Sequence, residues 1–115
     1  MGFLSSLFNE ELSEKRYEIT GDFANQLELE YGYKKTRKEY KDFLTSDISI
    51  KREPSNPYDS NAIAVYAYNL KLGYIPKNRI NEYKNIKNKR KETVRFSYDE
   101  RENYYKSHLI VSFAK

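Results

Sequence analysis

Cysteine and tryptophan are absent from this chain, histidine occurs once, and only three prolines and four glycines punctuate its 115 residues. Without thiols there is no disulfide and no thiolate for a metal, and a single imidazole would leave any zinc site dependent on several carboxylates. No zinc enzyme is expected. No apolar run approaches the roughly 18 residues needed to cross a bilayer, and Met1 to Phe8 has neither the basic start nor the apolar length of a signal peptide. A soluble, cytoplasmic protein without a membrane partner is the expectation. Neither a long linker nor a low-complexity segment divides the chain, which suits one domain with one modest core. A phosphate-cradling GxxxxGK[ST] loop is also missing, and one histidine with scattered carboxylates makes no catalytic set. Recognition rather than catalysis follows, with no cofactor.

The charge that is present is unevenly placed. Net charge is +4, but residues 1–33 carry two basic and seven acidic groups, whereas residues 77–95 carry eight basic and two acidic groups. That asymmetry favours an anionic partner near the second segment. Twelve tyrosines accompany six phenylalanines. Tyrosine joins a stacking face to a hydrogen-bonding tip, so a Tyr-rich basic domain suits single-stranded nucleic acid, although any one tyrosine more often packs at the rim of a strand.

Along the chain, Phe3, Leu4, Leu7, Phe8 and Leu12 recur at helical spacing and predict an N-terminal amphipathic helix, with residues 1–14 as an extension and 15–115 as the domain. Its polar face is acidic, so it is expected to dock on the domain or on a second copy rather than on a membrane. Arg16 to Gly21 alternates as a strand. Asp22 to Tyr33 fits two patterns, with Leu27, Leu29, Tyr31 and Tyr33 at period two and Phe23, Leu27 and Tyr31 at period four, and is expected to be irregular or mixed. Lys34 to Leu44 reads as a solvated helix. Asp47 to Glu53, Asn61 to Tyr68 and Lys71 to Ile75 read as strands, the last two forming a hairpin about Asn69. Asn78 to Ile86 has helical spacing, Lys87 to Lys91 is a basic connector, and Glu92 to Tyr98 and Tyr104 to Ala114 alternate as strands. The fold expected is mainly β, a small OB-like or SH3-like barrel with short helices.

Everything is arranged around Arg52 to Pro76, which holds all three prolines. Pro54, Asn56, Pro57 and Asp59 restrict or locally cap the backbone, so a rigid polar loop between two strands is predicted. Such a loop can hold a binding constellation exposed on a fixed scaffold. In it, Asp59 suits capping its own turn as well as it suits binding, and Asn61 suits the structural role better.

This stretch resembles the HIRAN domain, a module of helicase-like transcription factor and of many bacterial and phage proteins. The resemblance rests on Ile19-Thr20-Gly21, Arg52-Glu53-Pro54, Asn56-Pro57-Tyr58-Asp59, Asn61-Ala62-Ile63, Val65 and Gly73-Tyr74-Ile75-Pro76, and spans about Tyr17 to Tyr83. It implies a stand-alone, OB-like module that binds the 3′ end of single-stranded DNA and targets DNA repair, replication-fork or other DNA-processing machinery. Carried over, Asn56, Tyr58 and Asp59 lie at the DNA end, Tyr74 lies near the backbone, and Lys77, Arg52 and Tyr17 complete the DNA-binding set. An ionised Asp59 only accepts hydrogen bonds, so it suits a terminal hydroxyl and repels a terminal phosphate. Tyr17 and Glu18 stand where the eukaryotic member has an Arg-Tyr pair.

Two other readings compete. One is a protein-interaction or regulatory module with no DNA binding that dimerises or docks on a partner through its N-terminal helix; beside the DNA-end reading, the partners expected are a larger DNA-processing protein and, in a weak homodimer rather than a monomer, a second copy. The other is a metal-dependent nuclease using Asp59 with Glu53 or Asp47.

Overall fold

The computed structural model describes residues 11–21, 26–39 and 44–115. Strand β1 (Leu12–Glu18) runs antiparallel to the last strand, β7 (Tyr104–Ala114), which pairs in turn with β6 (Lys89–Asp99). The two-residue β2 (Leu44–Thr45) completes this sheet on the far side of β6. A second sheet is made of β3 (Ile48–Arg52), β4 (Ile63–Ala67) and β5 (Leu70–Tyr74), all antiparallel. Helix α1 (Gln26–Glu39) packs on β5, β6 and β7, and a 3₁₀ turn (Lys77–Arg79) leads into the short α2 (Ile80–Lys84).

Period-two patterning drives the sheets together. Tyr17 and Ile19 from β1 and its extension, Val65 from β4, Leu72 from β5, Val94 and Phe96 from β6 and Leu109 and Val111 from β7 all point into one buried core. Burying each such side chain stabilises the fold by about 1.5 to 3 kcal/mol. The β4–β5 hairpin closes through Tyr68 and Asn69, both at positive φ (52° and 63°), the geometry of a type I′ turn.

One glycine joins the sheets. Gly73 has φ +148°, and a Cβ there would lie 2.2 Å from the Thr20 carbonyl oxygen, so no other residue allows this approach. Across it, the Thr20 N–H donates to the Tyr74 carbonyl (2.8 Å) and the Tyr74 N–H donates to the Thr20 carbonyl (2.7 Å). This isolated bridge is the seam between the end of β1 and β5.

The expected barrel is corrected to two open sheets. Closure needs a hydrogen-bonded ladder along both seams; here one seam holds the Thr20–Tyr74 bridge, and at the other β2 passes to β3 through Ser46 and Asp47 without pairing to it. Most of the expected N-terminal helix (residues 1–10) lies outside the described residues, but Leu12 to Glu14 belong to β1, where they pair with Ala114 to Ser112. Gln26 to Tyr33 is helical rather than irregular. Leu29 is buried and Tyr33 packs on the core one turn later, while Leu27 and Tyr31 are exposed on another face. The helix expected from Lys34 is present through Glu39, the last described residue before Leu44, and Leu44 is in a strand. The basic connector is partly strand as well: β6 begins at Lys89 and absorbs an irregularity between Lys89 and Lys91.

Candidate functional site

The loop after β3 is built by its own side chains. Its backbone closes through the Glu53 N–H to the Ala62 carbonyl (2.9 Å), the Asn56 N–H to the Glu53 carbonyl (3.0 Å) and the Ala62 N–H to the Asp59 carbonyl (3.0 Å). Asn56 Oδ1 accepts the N–H groups of Tyr58 (2.9 Å) and Asp59 (3.1 Å), and Asp59 Oδ1 accepts that of Asn61 (2.9 Å). These are Asx turns, in which a short side chain replaces a backbone acceptor. Pro54 and Pro57 fix φ between them.

Glu53 anchors the loop to β5. Its carboxylate accepts from Lys71 Nζ (2.7 Å), the Tyr74 hydroxyl (2.9 Å) and Asn56 Nδ2 (3.0 Å), the last of which lies 3.4 Å from the Tyr74 oxygen as well. The Lys71 ammonium and these other donors favour the ionised form and bring the Glu53 pKa down to about 2. Lys71, reciprocally, is raised by Glu53. Lys71 also sits over the Tyr74 ring, 4.7 Å from its centroid.

Beside this loop is a groove of about 480 Å³ lined by Thr20, Asn56, Tyr58, Asp59, Ala62, Tyr74, Ile75, Lys77 and Ile80. Five of the seven residues expected to bind DNA meet here: Asn56, Tyr58, Asp59, Tyr74 and Lys77. Tyr58 is 92 % exposed, so its ring is a free platform at the groove's edge. Asp59 is both turn-maker and groove lining, since one hydrogen bond leaves most of a carboxylate's acceptor capacity unused. The chemistry on offer is an acceptor, a flat aromatic face and a cation on a partly apolar floor.

The other two expected residues are elsewhere. Arg52 is exposed at the end of β3, outside the groove lining. Tyr17 is wholly buried, its ring edge-on to Tyr83 at 5.9 Å and under the Arg79 guanidinium at 4.2 Å. Burial pushes its hydroxyl up to about 12, with Glu82 nearby adding to the rise. Sequence reasoning named Glu53 only within the family motif and as a nuclease candidate. Its anchoring role depends on Lys71 and Tyr74, 18 and 21 residues away, and no local pattern announces that. Among the described residues, no group of three His, Cys, Asp or Glu side chains could hold a metal ion, and Glu53 is occupied by its three donors.

Basic residues also divide. Arg79 is a structural clamp: it donates to both carboxylate oxygens of Glu82 (3.1 and 2.9 Å) and to the Arg16 carbonyl (2.7 Å), fastening α2 to β1. Lys89 lies 3.8 Å from the Tyr83 ring centroid. Lys77, Lys84, Lys87, Arg90, Lys91 and Arg95 are exposed. His108, the single histidine, is half-buried on β7 between Arg95 and Glu18, and burial lowers its pKa.

A two-sheet scaffold holding a self-capped polar loop beside an aromatic groove is a binding module. Residues 29–85 match the family model described as the HIRAN domain, so the chain is a HIRAN-domain protein. The HIRAN domain is generally a DNA-binding module and is not catalytic. The chain is also similar to a protein from Lactobacillus plantarum whose crystal structure came from a structural genomics consortium, with 16% sequence identity, 90% of this chain and 99% of that chain covered, and a TM-score of 0.47. No curated protein matches. Among the described residues, no helix is long and apolar enough to cross a membrane.

Proposed function

We propose that this chain binds the 3′-hydroxyl end of single-stranded DNA and, through that, brings DNA-processing or repair machinery to DNA ends. The observation that carries the reading is the convergence of Asn56, Tyr58, Asp59, Tyr74 and Lys77 on one groove. Tyr58 stacks on the terminal base, a contact of about 1 to 3 kcal/mol per base. Lys77 neutralises the adjoining phosphate. Asp59 accepts the terminal hydroxyl and repels a phosphate in its place; at about 4 Å and an effective dielectric near 20, two unit charges interact by about 4 kcal/mol.

Fluorescence anisotropy with two short labelled strands, one ending in a 3′ hydroxyl and one in a 3′ phosphate, tests this. The hydroxyl strand is expected to bind at least tenfold tighter, and Asp59→Asn is expected to remove most of the difference. Equal binding of the two strands by the unaltered protein defeats the reading.

A protein contact is favoured by a separate observation. Leu27 and Tyr31 lie one turn apart on α1 and are 76 % and 58 % exposed. A weak homodimer or a larger partner seated there would cover them, and Leu27→Glu would then abolish any concentration-dependent rise in mass seen by light scattering.

A further inference from the structure

The groove has two exits, and their charges differ. Over Thr20 it meets a smaller cavity of about 200 Å³ whose lining includes Glu18, Tyr104, Tyr105 and Lys106. Here the acid Glu18 is exposed, and Lys106 already faces Asp99 at 3.8 Å. On the other side, Asn56, Tyr58 and Tyr74 are shared with a cavity of about 500 Å³ that adds Glu53, Pro54, Ser55, Pro57 and Lys71. This second exit shares Lys71 and Tyr74 with the outward face of the β3–β4–β5 sheet.

That face is a lattice of cations and rings. Along β4, Val65 points into the core, so Ala64 and Tyr66 point outward. In register, one row reads Lys51, Ala64, Tyr74 and the next reads Ser49, Tyr66, Lys71. The register shift in β5, where Val65 faces Gly73 but Tyr66 faces Lys71, changes the strand's phase. Without it Lys71 and Tyr74, three residues apart, would point to opposite faces; with it both reach Glu53 on one side. Lys51 sits 4.8 Å from the Tyr66 ring centroid and Lys71 sits 4.7 Å from that of Tyr74. Ala64, between Lys51 and Tyr74, is wholly buried, so the side chains around it close over the centre of the patch. Two strand spacings, about 10 Å, separate Lys51 from Tyr74.

We infer that this face is the track for the nucleotides 5′ to the bound end, with single-stranded nucleic acid running from the groove past Tyr58 and Tyr74 onto Lys71, Tyr66 and Lys51. The inference rests on the end-binding reading and adds the direction in which the strand leaves. A basic surface with interleaved rings suits a single strand, because phosphates meet the ammonium groups while bases lie on the rings. Two lysines against the single carboxylate of Glu53 make this exit attractive to phosphate, whereas Glu18 makes the other repulsive.

The test compares 3′-hydroxyl oligothymidylates of two and eight nucleotides on the full chain. The longer strand is expected to bind at least tenfold tighter. Lys51→Glu, and separately Tyr66→Ala, should remove most of that gain while leaving two-nucleotide binding and its preference for the 3′ hydroxyl unchanged. Lys51→Gln should also lower the slope of log affinity against log salt by about 0.7, one phosphate contact on a single strand. Because Lys51 is exposed, its variants remain folded even if Tyr66→Ala does not. Absence of a length gain, persistence of the gain in Lys51→Glu, or its loss in Lys106→Glu and Tyr104→Ala instead overturns the track. None of these outcomes alters the hydroxyl-over-phosphate preference of the two-nucleotide strand, whose absence would instead defeat the end-binding reading.

Discussion

Glu53 and Glu82 have the same side chain and nearly the same local chemistry. Each accepts from several donors, Glu53 from Lys71, Tyr74 and Asn56, and Glu82 from Arg79 and Lys15, and each is held near a pKa of about 2 by its hydrogen-bonded cations. Their surroundings differ. Around Glu82 the partners tie elements together: Arg79 covers the buried Tyr17 ring and grips β1, so the cluster fastens a helix to a sheet. Around Glu53 the partners face a groove, and the residues it holds are the ones a ligand would meet. Charge counting along the sequence treats Arg79 and Lys77 alike, but only Lys77 lines the groove.

That contrast makes its largest prediction at the clamp. Arg79→Met removes three charge-assisted hydrogen bonds and is expected to lower unfolding free energy by about 2 kcal/mol or more in urea melts, while the 3′-hydroxyl preference stays unchanged. A lost preference with unchanged stability would reverse the roles assigned to the two clusters. Glu53→Gln should affect both stability and binding. It costs about 1 to 2 kcal/mol, because the amide keeps an acceptor but loses the charge opposite Lys71, and it weakens hydroxyl-strand binding about tenfold by loosening Asn56 and Tyr74.

Acid titration probes both clusters together. A carboxylate whose folded pKa lies below its unfolded value contributes stability that is present above the unfolded value, about 4.3, and is lost as pH falls through the folded one. The melting temperature should therefore fall between about pH 5 and pH 2, and the fall should be shallower in Glu53→Gln. An equally steep fall in that variant would remove Glu53 from the account. The smallest stability effect is expected at Tyr58. With 92 % of its surface exposed, Tyr58→Ala should shift stability by less than about 0.5 kcal/mol, yet weaken DNA binding about tenfold.

Much of this arrangement was legible in the chain. Proline and Asx chemistry at 54–61 announced the self-capped loop, and period-two runs located β3, β4, β5 and β7 to within a residue or two. Tyr17 misled in the carry-over, although its own alternation with Glu18 places it on the core side with Ile19. Helix α1 was legible from Lys34 to Glu39, but its first half was hidden because Leu27, Leu29, Tyr31 and Tyr33 alternate like a strand; in the helix they form two pairs spaced by four, one pair toward the core and one toward solvent. Gly32 lies between them, where a Cβ would come 2.6 Å from Phe96. Barrel closure depends on pairing between elements distant in sequence, which no local period encodes. The register shift that turns Lys71 and Tyr74 to one side is equally non-local.

The Thr20–Tyr74 bridge has a mechanical consequence. Both residues line the groove, so the line along which the two sheets are joined by one pair of backbone hydrogen bonds and the Thr20 hydroxyl is also the line on which a ligand would sit. A bound strand touching Thr20 on one sheet and Tyr74 on the other acts as a splint across the seam. Occupancy then resists parting of the sheets, and the Thr20 and Tyr74 amides, whose protons exchange with solvent only when the seam opens, become direct reporters of the loaded domain.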